Sequence, residues 1–220
     1  MPRPEEANLP ATNEGYGTRE YWEERYTREG PDHNFDWFLN ADYLLPIFEE
    51  LTADLGKETR ILMLGCGNSQ LSEAMYDAGW KNIVNIDFST ALIEQMKVRH
   101  EGRPGMQWLE MDIMDLKFGE EFDLVVDKGT MDALLTTKGD PWNPPAKDIA
   151  NCTKEVDEAV RVLRKRPGSK FVYFTFGQPH FRKRYLINRE GWKFSQRTIG
   201  PPEGFDYFQY LLEWEPTTAA

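Results

Sequence analysis

The chain is poor in cysteine and in long apolar runs, and each scarcity excludes a class of protein. Its 220 residues include two cysteines, Cys66 and Cys152, too few for a disulfide framework, and their surroundings suggest no metal site. Every apolar run is far shorter than the ~20 residues that span a bilayer. The opening residues also lack the basic and apolar regions of a signal peptide. We therefore expect a cytoplasmic protein without a membrane segment.

Positive charge is scarce as well. The chain has 26 lysines and arginines against 37 aspartates and glutamates, which gives a formal net charge of −11. An acidic surface repels the phosphates of nucleic acids. The two densest basic stretches, 161–166 and 180–185, are short and are more typical of a solvated face or of a site for an acidic protein. We therefore expect no nucleic-acid partner.

The composition that is present is that of one globular domain. Apolar residues make up 40% of the chain and aromatic residues 13%, which is ample for a hydrophobic core. The first 15 residues contain three prolines and little apolar material, so we predict a disordered lead-in over residues 1–17. A single domain is predicted over residues 18–216, because no change of composition marks a boundary within it.

Apolar strands alternate with amphipathic helices through most of this domain. The patterns predict strands at 60–65, 82–87, 106–112, 122–129 and 169–177, and helices at 18–29, 69–79, 89–100 and 154–165. A helix over 41–52 contains Pro46, which predicts a late start or a kink. Two further strands, 191–200 and 205–214, flank a turn. The predicted fold is α/β, a mostly parallel sheet covered on both faces, with an antiparallel C-terminal hairpin.

A glycine turn follows the first predicted strand, in the sequence LGCGNS. Gly65 and Gly67 lie where a strand passes into a helix, which exposes backbone N–H groups to a ligand. A dinucleotide site would carry a third glycine, but Gln70 occupies that position, so a pyrophosphate is disfavoured. The pattern favours a ligand with ribose and adenine and no phosphate, although a tight turn without a ligand would look the same.

Acidic residues end the next two strands. Asp87 closes the second strand twenty residues after Gly67, where a carboxylate can accept hydrogen bonds from both ribose hydroxyls. Asp112 closes the third strand and can accept from an adenine amino group, with Ile113 against the ring. Each aspartate has a simpler interpretation, Asp87 as a helix N-terminal residue and Asp112 as a turn residue. Their succession at neighbouring strand ends favours the ligand.

Four segments together carry a family resemblance: LGCGNS, NIDFS, EMDIMDL and FDLVVDKGTMDALL. They resemble the class I S-adenosylmethionine-dependent methyltransferases. Within that class the chain is similar, from residue 19 to 214, to the elongation factor 1-alpha lysine methyltransferases of the methyltransferase-like 13 family. The resemblance implies a Rossmann-like seven-stranded sheet, S-adenosyl-L-methionine as cofactor, and methylation of a protein lysine with elongation factor 1-alpha as the partner.

The resemblance also implies the cofactor-binding residues. Those of the strand ends are Gly65, Asp87, Phe88, Asp112, Ile113 and Lys128, and those closing over the methionine end are Trp22, Tyr26 and Trp37; Gly67 is added from its place in the glycine turn. The two tryptophans could instead be core anchors. No catalytic base is predicted. Asp127 is a candidate for orienting the substrate amine, or equally a group that holds the loop after the fourth strand.

Two other functions remain open at this stage. A small-molecule methyltransferase would usually carry more sequence over its pocket than these short connections offer. A non-catalytic methyltransferase fold that binds a protein would not need Gly65, Asp87, Asp112 and Lys128. Methylation of a nucleic-acid base is disfavoured, because Asp127-Lys128-Gly129-Thr130 stands where such enzymes carry Asn/Asp-Pro-Pro-Tyr/Phe. The proline-rich loop expected over 139–152 is a place for substrate selection.

Overall fold

The computed structural model describes residues 9–215, which form a sheet with helices on both faces. The helices are α1 (Arg19–Glu29), α2 (Ala41–Leu51), α3 (Leu71–Asp77), α4 (Thr90–Arg99), α5 (Thr130–Leu134), α6 (Ala146–Val162) and α7 (Pro179–Arg182). The strands are β1 (Ile61–Leu64), β2 (Ile83–Asp87), β3 (Met106–Glu110), β4 (Leu124–Lys128), β5 (Lys170–Thr175), β6 (Trp192–Ile199) and β7 (Tyr207–Trp214).

The sheet has seven strands in the order β3-β2-β1-β4-β5-β7-β6. Strands β1 to β5 pair in parallel, and β7 pairs antiparallel with both β5 and β6. The predicted fold class is therefore confirmed, including the antiparallel hairpin. The chain order reverses between β1 and β4, and in open α/β sheets such a reversal leaves a crevice at the carboxyl ends of the strands.

An apolar layer covers each face of the sheet. The central strands β1 and β5 are therefore buried along their whole length. Successive side chains of a strand point to opposite faces. Ile61 and Met63 accordingly join the layer under α1 to α4, while Leu62 and Leu64 join the layer under α5 and α6. This explains why β1 is apolar throughout, with no alternation of polar residues.

The helix starts follow from their capping residues, with one difference from prediction. Thr18 and Ser89, the first residues of two of the predicted helices, accept hydrogen bonds from backbone N–H groups of α1 and α4. Pro46 predicts a late start or a kink of the second helix; the late start is wrong, since α2 begins at Ala41 and runs through Pro46. Pro46 and Asp42 both lie on the exposed side, where water can bond the Asp42 carbonyl that proline leaves unpaired.

Two segments are more helical than the sequence pattern predicts. Helix α6 begins at Ala146, eight residues before the predicted start at 154, so the second half of the expected 139–152 loop is helical. Pro145 stands immediately before the helix, a position that tolerates proline because the first helical N–H groups need no partner within the helix. Helix α5 (Thr130–Leu134) is a further addition.

The folded part of the chain also begins earlier than residue 18. Residues Asn13–Gly17 form a 3-10 turn, and the Tyr16 ring lies 5.4 Å from that of Tyr21. The first eight residues of the predicted lead-in lie outside the described residues. Within residues 9–215, no helix has the length and apolar character needed to cross a bilayer, and no cluster of His, Cys, Asp and Glu could hold a metal ion.

Candidate active site

A cavity of about 350 Å³ opens at the carboxyl ends of β1, β2 and β4, the crevice that the strand order predicts. All of the residues predicted to bind the cofactor line it: Trp22, Tyr26, Trp37, Gly65, Gly67, Asp87, Phe88, Asp112, Ile113 and Lys128. They come from six separate segments of the chain. The fold thus brings the whole predicted set to one site.

The glycine turn requires glycine at residues 65 and 67 for two reasons, the backbone conformation and the close approach of neighbouring side chains. Gly65 and Gly67 have φ of 51° and 54°, a left-handed conformation that glycine adopts without penalty. A Cβ on Gly65 would lie 2.3 Å from Thr130 Oγ1, so the close approach there is made by α5. A Cβ on Gly67 would lie 3.1 Å from the Tyr26 hydroxyl. The turn is therefore pressed between protein groups on two sides while its remaining side faces the cavity.

Asp87 is buried at the end of β2 and faces the cavity. Its Oδ1 accepts a hydrogen bond from Ser89 N at 3.0 Å and its Oδ2 accepts one from Gly67 N at 3.1 Å. A carboxylate oxygen has two lone pairs, so each oxygen keeps capacity for one hydroxyl donor. Burial raises the pKa of Asp87 to about 6, against the opposing effect of these backbone donors.

Asp112 and Ile113 form a contrasting pair after β3. Asp112 is exposed, and its Oδ1 accepts a hydrogen bond from Met114 N at 2.8 Å. Ile113 is buried. Met111 and Met114 flank the pair on the cavity wall. The segment therefore presents a polar rim with an apolar floor, a surface that suits a flat heterocycle with an amino group on its edge.

Four aromatic rings form the opposite wall. The centroids of Trp22 and Tyr26 are 5.6 Å apart in a stacked arrangement, and those of Trp22 and Trp37 are 6.2 Å apart. Tyr16 completes the wall at 5.6 Å from Trp37, and its carbonyl accepts a hydrogen bond from Trp22 Nε1 at 2.7 Å. Tyr16 was not among the predicted site residues, because residue 16 lies within the predicted lead-in.

Arg25 is another cavity residue that the sequence analysis missed. It is buried, with its guanidinium carbon 5.4 Å from the Trp22 ring centroid and 4.8 Å from that of Phe35. Its charge is balanced by Glu29, whose carboxylate lies 2.8 Å from Arg25 Nε. The only sequence signal was its spacing of three from Trp22, which places both side chains on one helix face.

Lys128 holds the segment that carries Trp37. Its Nζ donates to Asp36 Oδ1 and to the Trp37 carbonyl, both at 3.1 Å. Asp36 in turn accepts a hydrogen bond from the hydroxyl of Ser69, just after the glycine turn. Burial lowers the pKa of Lys128, and the negative charge of Asp36 opposes that shift. Lys128 therefore ties the aromatic wall to the strand end as well as lining the cavity.

Asp127 lies under the site and does not line the cavity. Its Oδ1 accepts from Thr130 N at 2.8 Å and its Oδ2 from Met131 N at 2.9 Å. Both donors belong to the first turn of α5, so Asp127 satisfies N–H groups that have no partner within the helix. Of the two roles considered for Asp127, the geometry favours holding the loop after β4 over orienting a substrate amine.

The cavity suits a nucleoside better than a nucleotide. Two carboxylates, Asp87 and Asp112, lie where hydroxyl and amino donors can reach them, and they would repel phosphate groups. The aromatic wall suits a positively charged sulfur, which interacts favourably with ring faces. The residues present therefore fit S-adenosylmethionine, an adenosine that carries a sulfonium and no phosphate.

Comparisons with known sequences lead to the same chemistry. A family described as "Methyltransferase domain" matches residues 61–140. The chain is 33% identical over 207 residues to the EEF1A lysine methyltransferase 4 of Bos taurus, covering 93% of this chain and 78% of that protein. It is 35% identical over 192 residues to the eEF1A lysine and N-terminal methyltransferase of Homo sapiens, covering 84% of this chain and 25% of that longer protein.

Solved structures agree on the fold. The N-methyltransferase NodS from Bradyrhizobium japonicum WM9, in complex with S-adenosyl-L-homocysteine, superposes with a TM-score of 0.61 at 16% identity, covering 88% of this chain and 98% of NodS. Magnesium protoporphyrin IX methyltransferase from Synechocystis PCC 6803, with bound S-adenosylmethionine, gives 0.60 at 14% identity, covering 93% and 99%. At such identities the likeness concerns the fold alone.

Proposed function

Because the chain belongs to the EEF1A lysine methyltransferase family, we propose that it methylates a lysine of the elongation factor eEF1A. The protein is an S-adenosylmethionine-dependent methyltransferase. The observation that supports methyl transfer is the cavity into which six chain segments bring every residue predicted to bind the cofactor. The protein substrate is inferred from the relatives' names.

We propose that the strand ends hold the adenosine. Asp87 would accept hydrogen bonds from the ribose hydroxyls with its free lone pairs, and Asp112 from the adenine amino group. Phe88 and Ile113 would supply apolar surface to the base. Gly65 and Gly67 let the turn pack against Thr130 and Tyr26, and its remaining side would face the ligand. The rings of Trp22, Tyr26 and Trp37 would enclose the methionine end.

The cofactor supplies a methyl group on a sulfonium, which is already a good leaving group. The contribution of the chain is to bring the lysine nitrogen into line with that methyl carbon and to exclude water. A lysine has an ordinary pKa of about 10.4, so losing its proton at pH 7.4 costs ~4 kcal/mol. The apolar aromatic wall lowers that cost, since burial disfavours the ammonium form.

A cytoplasmic location is part of the proposal. Both cysteines are free thiols. Cys152 is buried, and burial raises the pKa of its thiol, so it stays protonated and unreactive. Free thiols are typical of a reducing compartment, and cytoplasmic eEF1A would be met there.

The test is methyl transfer to purified eEF1A from tritiated S-adenosylmethionine, with label read on a gel and the residue identified by mass spectrometry. We expect label on one or more lysines with the wild-type protein and with Asp115→Asn, an exposed aspartate whose side chain does not line the cavity. Asp87→Ala should abolish labelling. Label that appears with a small molecule and not with eEF1A would overturn the proposal.

A melting experiment separates an enzyme from a non-catalytic fold. Cofactor at a hundred times its Kd should stabilise the protein by about 2.7 kcal/mol. A melting temperature that does not change with S-adenosylmethionine would favour the non-catalytic module.

A further inference from the structure

A second space borders the cofactor cavity on the other side of its aromatic wall. This passage, of about 230 Å³, shares Tyr16, Trp22 and Trp37 with the cavity and adds the rings of Phe38 and Phe176. Beyond it lies an open groove of about 840 Å³ at the surface. The passage and the groove meet at four common residues: Asn13, Asp132, Thr136 and Phe176.

Asp132 stands at this junction with one half of its carboxylate unused. Its Oδ1 accepts hydrogen bonds from Thr175 Oγ1 at 2.8 Å and from Arg182 Nη2 at 2.6 Å. Oδ2 is buried and has no hydrogen-bond partner among residues 9–215. The side chain as a whole is 8% exposed. A buried acceptor without a donor is costly, so Oδ2 is a place where a donor belongs.

Arg182 forms an ion pair with Asp132 that holds the carboxylate in place. The two groups are 2.6 Å apart, and their side chains are only 11% and 8% exposed. Tyr173 also contacts the guanidinium, with its hydroxyl oxygen 3.1 Å from Arg182 Nε. This frame fixes the Asp132 carboxylate from one side and leaves its Oδ2 as the free acceptor.

The outer groove has a negative net charge, which favours a positively charged ligand. Asp132 and Arg182 pair with each other, and the rest of the wall includes, among the described residues, Glu14, Asp140 and Asp148 against the single cation Lys138. Phe176 is 56% exposed at the mouth. An acidic groove with an aromatic mouth suits a basic, extended peptide with a long side chain entering the passage.

We propose that this passage is the entry for the substrate lysine, and that Asp132 Oδ2 accepts a hydrogen bond from its amine. The aliphatic stem would lie against the rings of Phe38, Phe176 and Trp37, which line the passage, and basic flanking residues would lie in the outer groove. The inference rests on the proposed function for its substrate class. It adds a substrate-binding residue and a substrate route to that function.

The test is a binding measurement that needs no methyl transfer. The protein is saturated with S-adenosyl-L-homocysteine, and tryptophan fluorescence follows the addition of a heptapeptide with one central lysine among alanines. A second heptapeptide carries norleucine at the centre, which has the stem without the amine. We expect wild-type protein to prefer the lysine peptide by about tenfold or more, since a hydrogen bond between charged groups contributes that much.

Two variants decide the role of Asp132. Asp132→Asn keeps an oxygen for Thr175 and Arg182 but removes the charge, and it should lose the preference for lysine. Asp115→Asn, which removes an exposed carboxylate away from the groove, should keep it and so excludes a general effect of net charge. An Asp132→Asn protein that folds and still prefers lysine would overturn the inference, because the carboxylate of Asp132 would then not be the group that binds the amine.

A third variant keeps the test decisive if Asp132→Asn is unstable. Thr136 lines the passage and the groove but not the cofactor cavity. Thr136→Phe should therefore leave the affinity for S-adenosyl-L-homocysteine unchanged and abolish binding of both peptides; unimpaired peptide binding would overturn the route. The methylation assay with eEF1A is separate, so lysine-selective binding without eEF1A labelling would reject the substrate alone.

Discussion

The affinity for the cofactor should depend on pH through Asp87. Its pKa in the folded protein is about 6 because the carboxyl is buried. The ionised fraction at pH 7 is then about nine tenths, and at pH 5 about one tenth. If the ionised carboxylate is the form that accepts the ribose hydroxyls, the apparent Kd for S-adenosyl-L-homocysteine should rise about tenfold from pH 7 to pH 5.

The same group should affect the stability of the ligand-free protein with the opposite sign. Asp87 has a folded pKa of about 6 against an ordinary value of about 3.9 in the unfolded chain. The folded state therefore binds more protons than the unfolded state between these values. The free energy of unfolding should fall as pH rises from 4 to 6, by about 3 kcal/mol from this group at full extent.

The assay is calorimetric titration with S-adenosyl-L-homocysteine at half-unit steps from pH 5 to pH 8, on wild-type protein and on Asp87→Asn. The variant keeps an oxygen at the site but cannot ionise, so it should bind more weakly at pH 7.5 and show little pH dependence. Any titration of the ligand itself appears in both proteins and is subtracted. Chemical denaturation over the same range, read as the difference between the two proteins, isolates Asp87 from other carboxyls.

A wild-type Kd that stays constant between pH 5 and pH 7.5 would refute this reasoning. So would an Asp87→Asn variant with the affinity and pH dependence of the wild type, because the carboxylate would then not contact the ligand. A stability difference of the reverse sign would show that the backbone N–H groups that donate to Asp87 outweigh its burial, so that its pKa is lowered and not raised.

Two further predictions concern the protein beneath the site. Burial, reinforced by the charge of Asp127, raises the pKa of Glu155 well above its ordinary value. Above the ordinary pKa of about 4.3 the unfolded chain has lost this proton, so folding must take a proton up, which costs more free energy as the pH rises. Glu155→Gln should therefore raise the melting temperature at pH 8, with a difference that shrinks towards pH 4.5, and an equal or lower value at pH 8 would contradict this. Gly65→Ala should lower the free energy of unfolding by about 2 to 4 kcal/mol in urea titration, since a left-handed φ and the Thr130 contact both oppose a Cβ. Gly119→Ala is its control, because a Cβ there would meet no atom within 4 Å among the described residues; equal losses in both variants would argue against the Gly65 contact.

The sheet and the cofactor cavity could be predicted from the sequence because their signals are local. Each strand is a short apolar run, and the predicted ligand residues other than the three aromatic ones, Trp22, Tyr26 and Trp37, follow the ends of such runs. Parallel strands put their carboxyl ends at one edge, so Gly65, Asp87 and Asp112 had to come together once the sheet was inferred. Their clustering needed no knowledge of tertiary contacts.

The aromatic wall was predicted less completely, because its positions are determined by packing across the chain. Tyr16 lies in a segment whose composition resembles a disordered tail, and it gains order from contacts with Trp22 and Trp37. Arg25 is a charged residue on an ordinary helix face, and its burial depends on Glu29 and Phe35. Such contacts between segments leave no periodicity in the sequence.

The two aspartates of the DKGTMD sequence show most sharply where local reasoning stops. Asp127 and Asp132 are five residues apart, and only Asp127 was a predicted candidate for orienting the substrate amine. Between them the backbone turns at Gly129, with φ of 87°, and α5 begins. That turn leaves Asp127 beneath the helix start, bonded to Thr130 N and Met131 N. Asp132 emerges on the next turn of chain beside Arg182. The frame of Asp132 comes from β5 and α7, more than forty residues later, so its free oxygen could be recognised only in the folded protein.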